Sequence, residues 1–408
     1  MTTSREFAIQ VTQKLQSAGY TALWAGGCVR DQLVGKAPKD YDVATNATPE
    51  QVRELFGKKR TLAIGESFGV ITVLGPKSAD PIEVATFRRD TGYSDGRRPD
   101  AVEFTDARED AIRRDFTING MFFDPIKQEV IDYVGGQEDL QRRVVRAIGD
   151  PHERIAEDKL RMLRAIRFAA VFDFELHHDT LLAVQQHVQD IKVVSGERIG
   201  AELRRMFNHS NRAVAVRLLS QSKLLPEILP GGERFDNAQV LGRAISFLER
   251  LPSGDFPGSV CILLRQIDDR NVLEKLFDQW KLSNDELKSI GWVLRNISVL
   301  SQADSLAWSV VQPLLVQNDA QLALNVLQAE TPKSSGAGFC RERLTWAKDR
   351  LDPAPFLDGK KLQGLGIKPG PLFGKILTRV RVGQLDGEIT SQKQAEEIAV
   401  QLAESEAI

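Results

Sequence analysis

Asp40 and Asp42 stand on either side of Tyr41 in "KDYDVAT", a stretch with the composition of a β-strand. In a strand the side chains at i and i+2 leave the same face, so the spacing predicts two carboxylates side by side. Both stay ionised comfortably only with a cation between them. Hard oxygen donors in a chain with five histidines favour Mg2+ over zinc. Phosphoryl and nucleotidyl transfer use such carboxylates to hold metal ions that activate an attacking hydroxyl and neutralise a leaving pyrophosphate. A third carboxylate is expected on a neighbouring strand, and Glu83 in "PIEVATF" is the candidate. Gly26 and Gly27 follow the strand-like "TALWA" and precede the helix-like "VRDQLV". Glycines there let the backbone approach a phosphate and offer it amide donors at a helix start, while Arg30, one turn on, can fork onto the same group. A lone Asp-Xaa-Asp is ordinarily a solvated turn, and a lone Gly-Gly ordinarily only a turn. The order strand, Gly-Gly, helix with arginine, strand with paired aspartates is what predicts a triphosphate site.

These residues need a scaffold, and the 408-residue length implies two to four domains. With 42% hydrophobic and 27% charged residues the chain reads as a soluble globular protein. No apolar run approaches the roughly 18 residues of a membrane span, and residues 1–20 read as an amphipathic helix capped near Thr3 or Ser4, so a cytoplasmic location is expected. Cys28, Cys261 and Cys340 are too far apart for a disulfide framework or a zinc site, and buried, inert thiols are expected. A net charge of -2 does not announce a nucleic-acid binder, although the basic residues are unevenly placed. Up to residue 140, strand candidates rich in Val, Thr and aromatics alternate with short helices: "TALWAGG", "YDVAT", "FGVITVLG", "PIEVATFR", "DAVEFT" and "EVIDYVGG". From Leu140 onward apolar residues recur at three- and four-residue spacing, as in "DKLRMLRAIRFAAVF", and the remainder reads as helical. Gly/Pro-rich punctuation divides that helical part, including a break near residue 330.

At these residues the chain resembles the class II tRNA nucleotidyltransferase and bacterial poly(A) polymerase family, a branch of the polymerase-beta-like superfamily. Five segments run in family order: "GGCVRDQLVGKAPKDYDVATNATPEQV", "RRDFTINGMFFD" (113–124), "IDYVGGQEDL" (131–140), "EDKLRMLRAIRFAA" (157–170) and "SGERIGAELRRMF" (195–207). Together they span residues 23–207, about half the chain. The resemblance implies an α/β nucleotidyltransferase head over 1–140, followed by a helical neck (141–208), body (209–330) and RNA-binding tail (331–408). Gly120 departs from the family, which usually has Ala there. The resemblance also implies that Asp115 accepts a hydrogen bond from a ribose 2′-hydroxyl, with Arg113, Arg114 and Asn119 holding sugar and phosphates; the alternative for the two arginines is plain surface charge.

If 157–168 is one helix, Glu157, Arg161 and Arg164 share a face with Asp158 to one side. By itself this is an ordinary helix carrying an i, i+4 ion pair worth a few tenths of a kcal/mol. The resemblance makes Asp158 the acceptor for the exocyclic amine of cytosine or adenine and Arg161 the donor to the adjacent ring atom, with Glu157 orienting Arg161. Arg164 and Arg167 are assigned to phosphate or to support of the neck, and Glu197, Arg198 and Glu202 to scaffolding. The polar stretch 88–104 reads as a solvated loop, and the resemblance makes it the loop associated with switching from C to A addition. In the tail, "KKLQGLGIKPGPLFGKILTRVR" (360–381) can offer backbone amides to RNA phosphates. The implied function is template-independent addition of CCA to the 3′ end of tRNA from CTP and ATP with Mg2+, with no membrane and no protein partner. A-only addition, poly(A) synthesis and a non-enzymatic RNA-binding relative are the alternatives.

Overall fold

The computed structural model describes residues 2–92, 101–252, 254–267, 269 and 271–405. Thr3 caps the first helix, α1 (Ser4–Ser17), through a reciprocal capping box with Glu6. Then follow β1 (Ala22–Ala25), α2 (Gly27–Leu33), β2 (Asp42–Thr45), α3 (Pro49–Phe56), β3 (Thr61–Leu62), β4 (Val70–Val73) and β5 (Ile82–Thr86). Next come β6 (Arg88–Thr91), β7 (Ala101–Phe104), α4 (Ala107–Ile112), β8 (Phe122–Asp124), β9 (Glu129–Ile131) and α5 (Gly136–Arg142). Seven of these strands form one sheet in the order β3-β4-β5-β2-β1-β8-β9. All six expected strand runs form, and "FFD" adds β8, which lay unrecognised inside a motif.

Register carries the positioning. Ala25 pairs with Asp42 across the antiparallel β1–β2 ladder and with Phe122 across β1–β8. Asp42 in turn pairs with Glu83 in the parallel β2–β5 ladder. The Gly26-Gly27 turn, the aspartates and the segment before β8 therefore converge where three neighbouring strands begin or end. One face of the sheet is closed by α1 and the aromatic group Trp24, Tyr41 and Phe123, with Trp24 edge-on to Tyr41 at 4.7 Å. Gly120 sits where a Cβ would come within 2.8 Å of Val134 and 2.9 Å of Ile148, so the smaller residue relieves crowding.

Two expectations are corrected. The polar stretch 88–104 is not all loop: β6 and β7 pair as a hairpin with Arg88 opposite Phe104, while residues 93–100 lie outside the described residues. The region after Leu140 is not purely helical, because β10 (Val144–Val145) and β11 (Glu175–Leu176) pair in parallel.

Beyond α5, α6 (Pro151–Glu157), α7 (Arg161–Phe172), α8 (His178–Gln186) and α9 (Gly196–Phe207) follow. Residues 1–238 with 278–281 form one compact unit, and residues 239–277 with 282–408 form a second. In the first, α7 packs on α9 through buried apolar stripes. Gly200 of α9 lies so close to the carbonyl of Trp280 that a Cβ would stand 2.1 Å from that oxygen. Trp280 is fully buried and donates its indole N–H to Ile228 O at 2.6 Å. The second unit is helical, and its C-terminal part packs around Leu362, Ile376, Val380 and Ala395. Cys28, Cys261 and Cys340 are buried and unbridged. No helix among the described residues is long and apolar enough to cross a membrane.

The contact at Gly200 predicts that Gly200→Ala lowers unfolding free energy by about 1–3 kcal/mol, the cost of overpacking against backbone. Gly242→Ala, at an exposed helical position with nothing within 4 Å, should instead be neutral or stabilising by up to about 1 kcal/mol. Urea unfolding of the two variants checks the contrast.

Candidate active site

A cavity of about 590 Å3 opens where the strand ends meet α7, a size suited to a small organic ligand. Its walls carry Gly26, Gly27, Arg30, Asp40 and Asp42 from the first segment and Arg113, Arg114, Asp115 and Asn119 from the second. Asp158, Arg161, Arg164, Arg167 and Phe168 come from the α6–α7 region. Residues more than a hundred positions apart thus face one space. Glu83 and Glu157 are not among the lining residues. Glu83 stands beside Asp42 on the adjacent strand, and Glu157 stands behind Arg161.

Strand β2 begins at Asp42, so Asp40 precedes it, but Tyr41 between them is buried and the period-two alternation persists. Asp42 is open to solvent through the cavity yet backed by dense protein. That burial, together with the negative charges of Glu83 and Asp40, raises its carboxyl to about 6, against a smaller opposing pull from Arg114. Such a group is short of a cation. Among the described residues no three His, Cys, Asp or Glu side chains stand close enough to form a complete metal cage. Mg2+ does not require one, since it is commonly held by one or two carboxylates plus substrate phosphates and water. The Asp40–Asp42 pair fits a hard divalent ion on those terms.

Gly26 adopts φ +73°, and a Cβ there would meet Arg114 Nη1 at 3.2 Å, so glycine is required both by backbone and by space. Gly27 opens α2 with ordinary room around it. Arg30 is buried; its Nη1 donates to Asn119 Oδ1 at 2.5 Å, its Nε and Nη2 donate to Asp31 at 2.9 and 2.7 Å, and its guanidinium lies over the Phe172 ring at 4.4 Å.

Arg113 and Arg114 are not loose surface charge. Both fork onto Asp110 of α4, Arg113 through Oδ1 at 3.0 and 2.7 Å and Arg114 through Oδ2 at 3.1 and 2.8 Å. Burial alone would raise Asp110, but the two guanidiniums outweigh it and hold the carboxyl below its ordinary value. Asp115 Oδ1 accepts from the Phe116 amide (2.8 Å) and Asn119 Nδ2 (3.0 Å), and its Oδ2 accepts from Arg164 Nε (2.9 Å) and Nη2 (2.5 Å). Burial opposes ionisation here too, yet Arg164, Asn119 and Arg161 bring the carboxyl down to about 2. All four acceptor positions of Asp115 are in use, so a ligand hydroxyl must displace a donor.

The expected continuous helix over 157–168 does not form. Helix α6 ends at Glu157, Asp158 is extended (φ -144°, ψ 105°), and α7 starts at Arg161. Asp158 Oδ1 accepts the Leu160 N–H at 3.0 Å, a local side-chain bond that competes with helix continuation. Its Oδ2 accepts from Arg198 Nη2 at 2.7 Å. The Glu157–Arg161 pair survives the break, and Arg161 also donates to the carbonyls of Arg154 (2.9 Å) and Arg113 (3.2 Å). Arg167 pairs with Glu202, which is 2% exposed and also accepts from Arg205 at 3.0 Å.

A family model described as "Poly A polymerase head domain" matches residues 22–146, and one described as "Probable RNA and SrmB- binding site of polymerase A" matches 173–235. A CCA-adding enzyme of Pediococcus pentosaceus is 34% identical over 407 residues, covering 96% of each chain. One of Limosilactobacillus reuteri is 33% identical over 397 residues, covering 95% of this chain and 94% of its own. The chain belongs to the CCA-adding enzyme family. The crystal structure of the Bacillus stearothermophilus CCA-adding enzyme in complex with CTP superposes with a TM-score of 0.78 at 27% identity, covering 98% of this chain and 97% of that one. The nucleotidyltransferase head and helical remainder described above are thus the architecture of that family.

Sequence reasoning missed Asp110 and Phe168. Asp110 had a signal, because it precedes Arg113 and Arg114 by three and four residues, the spacing of helical ion pairs. Phe168 reads as one more apolar residue of an amphipathic helix, and only the fold brings it to the cavity wall, where the Arg167 guanidinium lies over its ring at 3.9 Å.

Because the folded protein favours protonated Asp42, the stability attached to this group is fully present below about pH 4 and is lost as pH rises through about 6. In the metal-free protein, Asp42→Asn should abolish that dependence and raise stability at pH 7.5, by up to about 1 kcal/mol after solvent screening. Urea midpoints of parent and variant at pH 4.5 and 7.5 give the comparison.

Proposed function

We propose that this chain adds CMP, CMP and AMP without a template to the 3′ end of tRNA, using CTP and ATP and releasing pyrophosphate at each addition. The observation that carries the reading is that one cavity joins a cation-seeking aspartate pair to an arginine cluster and to an Asp158–Arg161 pair. The membership of the chain in a family whose named relatives are CCA-adding enzymes supports it. On this reading residues 1–140 are the head, 141–208 the neck, 209–330 the body and 331–408 the tail, and the enzyme works in the cytoplasm.

In each cycle the RNA 3′-hydroxyl oxygen attacks the α-phosphorus and loses its proton to water, the bond from that phosphorus to the bridging oxygen of the β-phosphate breaks, and pyrophosphate leaves. Asp40 and Asp42, with Glu83 beside them, would hold a divalent ion, which we take to be Mg2+, and it would supply Lewis acidity for the transfer. The backbone of Gly26 and Gly27 and the guanidiniums of Arg30 and Arg114 receive the triphosphate. Asp115 takes the ribose hydroxyl by exchanging one of its present donors, with Asn119 adjoining and Arg164 holding the carboxylate in place. Arg167 adds positive potential at the far wall. Asp158 accepts the base amine, and Arg161, fixed by Glu157, donates to the neighbouring ring acceptor.

Cytosine and adenine both present amine and acceptor, whereas uracil and guanine set a carbonyl against the Asp158 carboxylate. An acceptor left unpaired in this way costs about 1–3 kcal/mol, enough to reject UTP and GTP without a template.

Extension of tRNAs lacking CCA, CA or only the final A, with CTP, ATP or both, tests the reading. Ordered addition of C, C and A followed by arrest is the expected result; A onto CC-ending tRNA alone, or unending A addition, would replace it with a partial or poly(A) activity. Asp158→Ala should cut the preference for CTP over UTP by roughly 5- to 100-fold in kcat/KM while leaving KM for the triphosphate within a few-fold, as expected for a lost acceptor.

A further inference from the structure

Asp158 cannot read a base merely by being present, because its carboxylate must offer a defined oxygen in a defined direction. Nothing in its own backbone guarantees this. It sits in the extended break between α6 and α7, outside either helix, where no helical turn packs its side chain into place. Two donors hold it instead. The Leu160 amide takes Oδ1 at 3.0 Å, and Arg198 takes Oδ2 at 2.7 Å. The first donor is local and belongs to the break itself. The second reaches over from the first turn of α9, forty residues along the chain.

Arg198 is well held for the task. Ser195 precedes the helix start, Ile199 and Leu203 bury the adjoining face of α9, and the Arg198 and Asp158 side chains are only 21% and 18% exposed. One turn later on the same helix, Glu202 pairs with Arg167 of α7. Helix α9 therefore carries a cation for Asp158 and an anion for Arg167 at i and i+4, and each grips a polar residue that lines the cavity.

A carboxylate oxygen has two lone pairs, so Oδ2 can accept from Arg198 and still accept from a base amine. With both anchors in place, Oδ2 offers its remaining lone pair in one direction only. We infer that Arg198 is a specificity-determining positioning residue, which holds the Asp158 carboxylate so that only an amine-bearing base edge satisfies it. The inference rests on the base-reading role proposed for Asp158. Without Arg198, Asp158 keeps only the Leu160 anchor, its carboxylate can turn aside, and a water can bridge it to the carbonyl of uracil or guanine. The penalty against the wrong base then shrinks, while the triphosphate contacts, which lie elsewhere in the cavity, persist.

The test measures kcat/KM for CTP, UTP, ATP and GTP on tRNA substrates with the parent chain and with Arg198→Gln, Arg198→Met and Arg198→Lys. Gln is shorter and uncharged, and Met is apolar, so both remove the anchor by different routes and whichever folds carries the measurement. The CTP:UTP and ATP:GTP ratios should fall about tenfold in both, the effect of losing one oriented hydrogen bond. The triphosphate KM should stay within a few-fold, and Arg198→Lys should recover most of the ratio because one ammonium N–H can replace the single Nη2 bond. Parent-like ratios in Gln and Met variants would overturn the inference. So would an equal slowing of all four nucleotides, which would make Arg198 a brace for the neck and nothing more. If the parent itself fails to prefer CTP and ATP, the base-reading proposal falls first and this inference with it.

Discussion

Six guanidiniums around one cavity repel one another, and the site exists only because carboxylates hold each of them. Asp31 anchors Arg30, Asp110 anchors both Arg113 and Arg114, Asp115 anchors Arg164, Glu157 anchors Arg161, and Glu202 anchors Arg167. Asp110, Asp115 and Glu202 are nearly inaccessible to water, so each pairing is made in a medium where an uncompensated charge is expensive. The pKa directions report the balance: burial opposes ionisation at Asp110 and Asp115, and the arginines reverse it. The result is a preorganised positive wall that suits a polyanionic ligand and needs little rearrangement to receive it.

Across the cavity the balance runs the other way. Asp42 has carboxylates as neighbours, and only Arg114 offsets them, so burial and like charge push it up. The contrast between an aspartate driven up to about 6 and another driven down to about 2, both lining the same cavity, separates a place for a cation from a place for a fixed anion. Sheet register produces it. Pairing of Ala25 with Asp42 and of Asp42 with Glu83 gathers the acidic side chains at one end of these strands, while the segment before β8 brings Asp115 and Asn119 to the same cavity.

Much of this was legible along the chain. The order strand, Gly-Gly, helix, strand with paired aspartates depends on local spacing, and the strand runs of the head formed where Val, Thr and aromatics alternate. Asp158 and Arg161 were legible as types but not as geometry. The helical periodicity through 157–168 is real, yet the Asp158 side chain captures the Leu160 amide and breaks the helix at the residue assigned to read the base. The hairpin was half hidden: β7 lay in the expected run "DAVEFT", but its partner β6 is polar and charged, so no apolar alternation announced it.

The linear order of residues by itself determined the class of chemistry, the α/β head, the helical remainder and the identities of nearly all the groups that line the cavity, since each of these rests on contacts within a few residues or on motif order. The long-range pairings of arginine with carboxylate were decided only by tertiary structure. Arg164 meets Asp115, Arg198 meets Asp158 and Arg167 meets Glu202 across separations that no periodicity encodes. The same holds for the cavity and for the raised Asp42 carboxyl. Burial and the distances between charges are properties of packed elements, and no residue type or spacing contains them.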